Sequence, residues 1–274
     1  MSALLFAGCG TQVPTPVLDP GNPTTLVVVS PPSPGMSLLE LDCLVGTGLR
    51  VETSEYLLAQ KDHATLIMSP TSQLAEQVFP SLPGWLRVLG APSLSALESK
   101  AQRAQAWNLP YEALAYGLET SRSTPDIEWK DLLASTQAAR EIADRYGKLL
   151  MLAPGFRLMS ENEELYPEMA ALADIWLFQT QRLQLIPSES EYRQEVQHYV
   201  DLIRSGNPDI VIFAQITIPP DQELQSAYWF FYYDAIVDLV DGTYLGIYTW
   251  DVYETDQLTQ LMRSIYARAC GWED

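Results

Sequence analysis

At 274 residues, 47% hydrophobic and 19% charged, the chain carries enough apolar side chain for one large single-core domain. Acids outnumber bases 35 to 16, and the net charge of −19 argues against nucleic acid and anionic membrane surfaces as partners, since both repel an acidic protein. No apolar run approaches the roughly 20 residues that a membrane helix needs.

Leu5-Phe6-Ala7-Gly8-Cys9 places a short apolar run and small residues before a cysteine. It resembles a bacterial lipoprotein cleavage box, which implies lipidation at Cys9 and membrane association through that anchor alone. Phe6 stands where leucine is usual, and the eight residues before Cys9 are fewer than a secretory signal needs, so the start reads as a truncated signal. If Met1 is the true start, the run is a plain apolar tail. Residues 10–23 carry Pro14, Pro16, Pro20 and Pro23 without periodicity, the composition of a tether. The expected location is extracytoplasmic, lipid-anchored or secreted.

Residues 24–274 are the expected folded domain. Leu26–Val29 is an apolar, largely β-branched run ended by Pro31 and Pro32, the form of a strand buried on both faces. Similar runs follow at 64–68, 86–89, 111–118, 149–153, 175–178, 210–214 and 244–248, eight in all. Helical spacing lies between them: Leu94–Trp107 behind Ser93, Asp131–Tyr146 before Gly147, Glu189–Arg204, Gln222–Val240 and Thr255–Ala269. Ser37–Lys61 reads as a helix interrupted at Gly46 and Gly48. Strands alternating with helices predict an α/β fold with a parallel sheet. Eight strands predict closure into a (β/α)8 TIM barrel, irregular in its first third. Cys43 falls in the first helical region and Cys270 in the last, which are neighbours in a closed barrel; a disulfide and two buried free thiols both fit.

Active sites of such barrels sit at the C-terminal strand ends. Tyr111–Glu119 is an apolar strand that ends on an acid, which makes Glu119 the first candidate for chemistry, with Tyr116 beside it as a binding residue. Alternation puts Ala115, Gly117 and Glu119 on one face of their strand. It does the same for Ile175, Leu177, Gln179 and Gln181, and for Val211, Phe213, Gln215 and Thr217. Three glutamines and a glutamate converging on one rim either bind a polar ligand or bond loop backbone and close the barrel top. At the end of the eighth strand, Trp250 fits a sugar-stacking floor or core packing, and Asp251 a second carboxylate or a helix cap. Arg157, after the fifth strand, is placed to bind an anion or to pair with Glu119. His63 precedes a strand and His198 lies in a helix, so a histidine metal site or a Ser-His-Asp triad has little support. The chain lacks zinc-spaced cysteine pairs, a G-x-G-x-x-G motif and a P-loop, so neither metal nor cofactor is expected.

The motifs Tyr116-Gly117-Leu118-Glu119, Thr124-Pro125, Ala153-Pro154, Gln179 with Gln181, and Phe213-Ala214-Gln215 carry a resemblance. Over about half the chain it resembles a group of uncharacterised bacterial exported or lipoprotein-like barrel proteins, which implies a barrel and export. More distantly it is similar to family 18 glycoside hydrolases, chitinase-like barrels whose fourth strand ends in Asp-x-Asp-x-Glu and whose eighth closes on Trp. Glu119 and Trp250 fit those places, whereas Gly117 and Ala115 replace the two aspartates and so remove substrate-assisted chitin hydrolysis. A two-carboxylate mechanism needs a second acid facing Glu119, and Asp251 is the strand-end candidate. The expectation is a glycoside-hydrolase-like barrel acting on carbohydrate with Glu119 as general acid. The alternative is a non-catalytic ligand- or glycan-binding surface lipoprotein.

Overall fold

The computed structural model describes residues 41, 43–120, 122–219, 225–247 and 253–272. Eight strands, all parallel, close into a barrel in sequence order. They are β1 (Val45–Gly48), β2 (Leu66–Ser69), β3 (Leu86–Ala91), β4 (Ala113–Tyr116), β5 (Leu149–Leu152), β6 (Ile175–Gln179), β7 (Val211–Ile218) and β8 (Gly242–Ile247). The seam pairs Val45 with Thr243 and Thr47 with Leu245. This is the (β/α)8 TIM barrel predicted from the alternation of strands and helices.

The first strand is not where it was expected. The barrel closes through Val45–Gly48, inside the stretch read as an interrupted helix, and is complete without Leu26–Val29, which lies outside the described residues. The helix that follows, α1, spans only Val51–Ala59. Then come α2 (Ser72–Val78), α3 (Leu94–Ala106), α4 (Asp126–Lys130), α5 (Leu132–Arg145), α6 (Phe156–Ser160), α7 (Tyr166–Ala170), α8 (Glu189–Gly206), α9 (Ser226–Ile236) and α10 (Thr255–Cys270). Local chemistry sets their ends. Ser93 Oγ accepts the Ala96 N–H at 3.3 Å and starts α3, and Gly147, at φ +62°, stops the chain after α5 in a backbone conformation that favours glycine.

Strand alternation divides the core in two. Outward-facing Leu89, Leu114, Leu150, Trp176, Ile212 and Leu245 pack under helix residues such as Leu97, Ala139, Val196 and Leu258. Inward-facing Leu66, Leu86, Val88, Met151, Leu177, Phe213 and Tyr244 fill the barrel itself. Cys43, just before β1, is disulfide-bonded to Cys270 at the end of α10, with a Cα–Cα distance of 5.1 Å. Among the described residues no helix is long and apolar enough to cross a membrane.

Candidate functional site

The inward positions change character along the strands. Their lower and middle parts carry large apolar side chains, but the top carries Gly48, Gly90, Gly117, Ala153 and Gly246. Missing side-chain volume there leaves a cavity of about 530 Å³ at the C-terminal mouth. The floor on the β8–β1 side is Tyr244, whose ring occupies the space that β1 leaves bare. A Cβ added at Gly46 would lie 3.2 Å from Tyr244 Cδ2, and one at Gly48 would lie 3.1 Å from its hydroxyl. Burial pushes the Tyr244 phenol well above its ordinary range, so it stays a neutral hydroxyl.

The three alternating stripes read from the sequence meet in this cavity. Glu119, Gln179, Gln181 and Gln215 all line it. Gln179 Nε2 donates to Glu119 Oε1 at 2.8 Å, bridging the ends of β4 and β6 over β5. The intervening β5 loop stays slim at Gly155, where an added Cβ would lie 3.3 Å from Glu119 Cγ. Gln215 Nε2 donates to Thr217 Oγ1 at 3.2 Å, and bare Gly246 makes the room, since a Cβ there would lie 2.9 Å from that nitrogen. Gln181 Oε1 is a buried acceptor without a hydrogen-bond partner among the described residues.

The upper end of β7 is held by a residue that sequence reasoning passed over. Strand β6 stops at Gln179, in register with Gln215 and three residues short of the top of β7. Gln184 supplies what is missing. Its Oε1 accepts the Thr217 N–H at 2.9 Å and its Nε2 donates to the Thr217 carbonyl at 3.0 Å. A side-chain amide thereby stands in for the neighbouring strand's peptide group. Tyr232, from α9, donates its hydroxyl to the Gln184 carbonyl at 2.7 Å and fixes the clamp from outside.

Two cations line the β1–β3 side of the same mouth. Arg50 follows β1, and Lys100 reaches back from α3 to the strand ends. Lys100 Nζ donates to the carbonyls of Pro70, at 2.6 Å, and of Gly90. Burial lowers the Lys100 pKa from its ordinary value. Arg50 is not evident in the sequence because Val45–Gly48 lacks the side chains of an ordinary barrel strand. Lys100 is not evident because a lysine inside a helical pattern looks like a solvated face.

Other expected site residues are placed elsewhere. Tyr116 is fully buried and faces the helices, and its hydroxyl donates to Glu128 Oε2 at 2.8 Å. Glu128 in turn accepts the Leu94 N–H at the start of α3, at 3.1 Å, so the pair is a structural staple and Tyr116 does not line the cavity. Strand parity explains this, because Tyr116 falls between inward-facing Ala115 and Gly117. Arg157 pairs with Glu161 on its own helix at 3.1 Å with its side chain 76% exposed, and neither partners Glu119 nor lines the cavity. His63 stacks on Trp272 at 4.6 Å between ring centroids, and His198 sits 3.4 Å from Glu163 on the surface. Among the described residues no cluster of His, Cys, Asp and Glu could hold a metal ion. Cys9, Trp250 and Asp251 lie outside the described residues.

No family model matches the chain, and no curated protein matches it. Solved structures do. An archaeal fructose-1,6-bisphosphate aldolase, seen with its catalytic lysine bound to a carbinolamine intermediate, aligns at 11% identity with a TM-score of 0.51, over 84% of this chain and 95% of its own. A 3-keto-L-gulonate-6-phosphate decarboxylase from Vibrio cholerae aligns at 10% identity with a TM-score of 0.48, over 84% and 99%. A deoxyribose-phosphate aldolase from Toxoplasma gondii aligns at 10% identity with a TM-score of 0.42, over 85% and 94%. At such identities the likeness shows the barrel fold and transfers no activity. The glycoside-hydrolase and glycan-binding expectation is corrected by this comparison, in which the barrel aligned at a TM-score above 0.5 is an aldolase and not a chitinase-like barrel. Glu119 is the only carboxylate among the described residues that line the cavity.

Proposed function

We propose that the C-terminal mouth is the active site of an enzyme acting on a compact polar metabolite, with Glu119 moving a proton. One observation carries the reading: Glu119 is positioned yet uncommitted. Gln179 fixes Oε1 at 2.8 Å, while among the described residues no cation neutralises the carboxylate and Oε2 accepts no hydrogen bond. An ionised carboxylate is acceptor-only, so it binds a donor group of the ligand and can take its proton. A cavity of about 530 Å³ suits a metabolite. A strand-borne Schiff-base lysine is not part of the proposal, because none of the eight strands contains lysine. The Cys43–Cys270 disulfide supports an oxidising compartment. Anchoring through Cys9 is proposed on the sequence alone, and labelled lipid on the precursor, lost in Cys9→Ala, is its test.

The functional test is a thermal-shift and calorimetric screen of small metabolites, followed by turnover measured by NMR. Glu119→Gln should lower turnover about 10²–10⁴-fold while changing affinity far less, as expected of a general acid–base residue. Arg157→Ala should change neither. Turnover unaffected by Glu119→Gln would overturn the assignment.

A further inference from the structure

Lys100 presents an unusual charge. Lys100 projects from α3, and its ammonium is half-buried between the ends of β2 and β3. Two of its three N–H donors go to backbone carbonyls of Pro70 and Gly90. Those carbonyls satisfy hydrogen bonds but carry no net charge. Among the described residues no carboxylate pairs with Lys100, and burial is the sole cause of its lowered pKa. Buried charges are normally paired, because desolvation is otherwise uncompensated. Here an acidic protein keeps an ammonium without a counter-ion at the mouth of the barrel cavity, with Arg50 lining the same side.

The opposite wall is complementary. In an eight-strand ring β2 faces β6, so Lys100 lies across the mouth from Gln179 and Gln181, while Glu119 follows β4, the strand beside β3. The β4–β6 side of the mouth offers acceptors: a carboxylate oxygen of Glu119 and the unpartnered, buried Oε1 of Gln181. The cavity is therefore polar in a directional sense, with donors and positive charge on the β1–β3 side and acceptors on the β4–β6 side.

We propose that Lys100 is an anion-recognising residue and that the ligand is a small oxyanion, a carboxylate or phosphate, that also carries a hydroxyl or amine. The oxyanion takes the third Lys100 N–H and supplies the missing counter-charge, and the hydroxyl or amine donates to Glu119 or Gln181. This deepens the proposed function and rests on the same mouth being the ligand site, but it does not depend on Glu119 moving a proton.

The chain has four lysines, Lys61, Lys100, Lys130 and Lys148, which makes amine labelling followed by mass spectrometry a direct readout. Inorganic phosphate or acetate, compared with sodium chloride at matched ionic strength, should slow acylation of Lys100 several-fold. Labelling of exposed Lys130 should not change. Protection by phosphate alone identifies a phosphate ester as the ligand class, and protection by acetate alone a carboxylic acid. The protection should persist in Glu119→Gln, so its loss of turnover and a failure of the anion site are told apart. As a second arm, the rise in melting temperature given by the effective anion should vanish in Lys100→Met and return in Lys100→Arg. Equal labelling of Lys100 with and without both oxyanions, or an anion response retained by Lys100→Met, would overturn the proposal.

Discussion

Replacing Gln184 by leucine isolates what one side-chain amide does for the site. Leucine keeps much of the volume and removes both hydrogen bonds to Thr217, at 2.9 and 3.0 Å. Gln184 and Thr217 are only 6% and 5% exposed, so the freed N–H and carbonyl have little access to solvent. Each buried backbone group left without a partner costs about 1–3 kcal/mol, which gives roughly 2–6 kcal/mol for the pair. The lower half is the better expectation, because β7 ends near the open mouth and a water molecule can replace part of the clamp. At about 2–4 °C per kcal/mol for a domain of this size, the melting temperature should fall by roughly 4–16 °C. Urea unfolding should show a lower midpoint at unchanged slope, since the exposed surface is the same. Gln184→Glu adds a signature that a packing defect cannot mimic. Its carboxylate still accepts from the Thr217 N–H but faces the Thr217 carbonyl without a proton to offer. That raises the folded-state pKa of the new carboxyl group, so the variant should gain stability relative to wild type as pH falls and lose it as pH rises through that value. If Gln184→Leu unfolds within 0.5 kcal/mol of wild type, as a neutral surface change would, β7 does not need the Gln184 clamp and the reasoning fails.

Two further outcomes follow from the outer layer. Reducing the Cys43–Cys270 disulfide, which spans 227 residues of sequence, should destabilise the domain by up to about 5 kcal/mol on the chain-entropy estimate. Urea midpoints with and without reductant, and for Cys43→Ser, measure it, and coincident curves would contradict it. Glu98 joins α3 to α5 by accepting from Tyr146 and Arg145, both at 2.6 Å, and the Tyr146 hydroxyl, more than Gln102 or Arg145, holds its pKa below the ordinary 4.5. A depressed carboxylate contributes stability above its unfolded pKa and loses it as pH falls through the folded one. Glu98→Gln should therefore be less stable than wild type at neutral pH and converge with it in acid, and a pH-independent difference in urea midpoint would refute the linkage.

Much of the site was legible because strands have a period of two. The runs containing Ala115, Gly117 and Glu119, or Phe213, Gln215 and Thr217, announce an inward face that turns polar at its end. The same parity rule, applied strictly, excludes Tyr116. What stayed hidden has a physical cause. Val45-Gly-Thr-Gly48 does not look like a barrel strand because its inward positions carry no side chains, and the volume is supplied by Tyr244 from another strand. Leu26–Val29 has the composition that β1 lacks and drew the assignment away. Arg50 and Lys100 become site residues only through closure of the ring, since nothing local distinguishes them from surface cations. Gln184 completes a ladder whose two strands lie apart in sequence, a relation that no periodicity encodes.

The covalent link between Cys43 and Cys270 also alters what counts as an end of this molecule. Between those residues the backbone and the sulfur bridge form a closed loop that contains every strand of the barrel. A single cut in any one of the connecting turns would leave all eight strands on one covalent molecule, still held in their circular order. The opening between consecutive units then becomes a matter of choice, and the turns far from the mouth, at the N-terminal strand ends, are natural places for new termini. A barrel joined by a short peptide in place of the bridge and reopened there would keep Glu119, Lys100 and Gln184 on an unbroken stretch of chain.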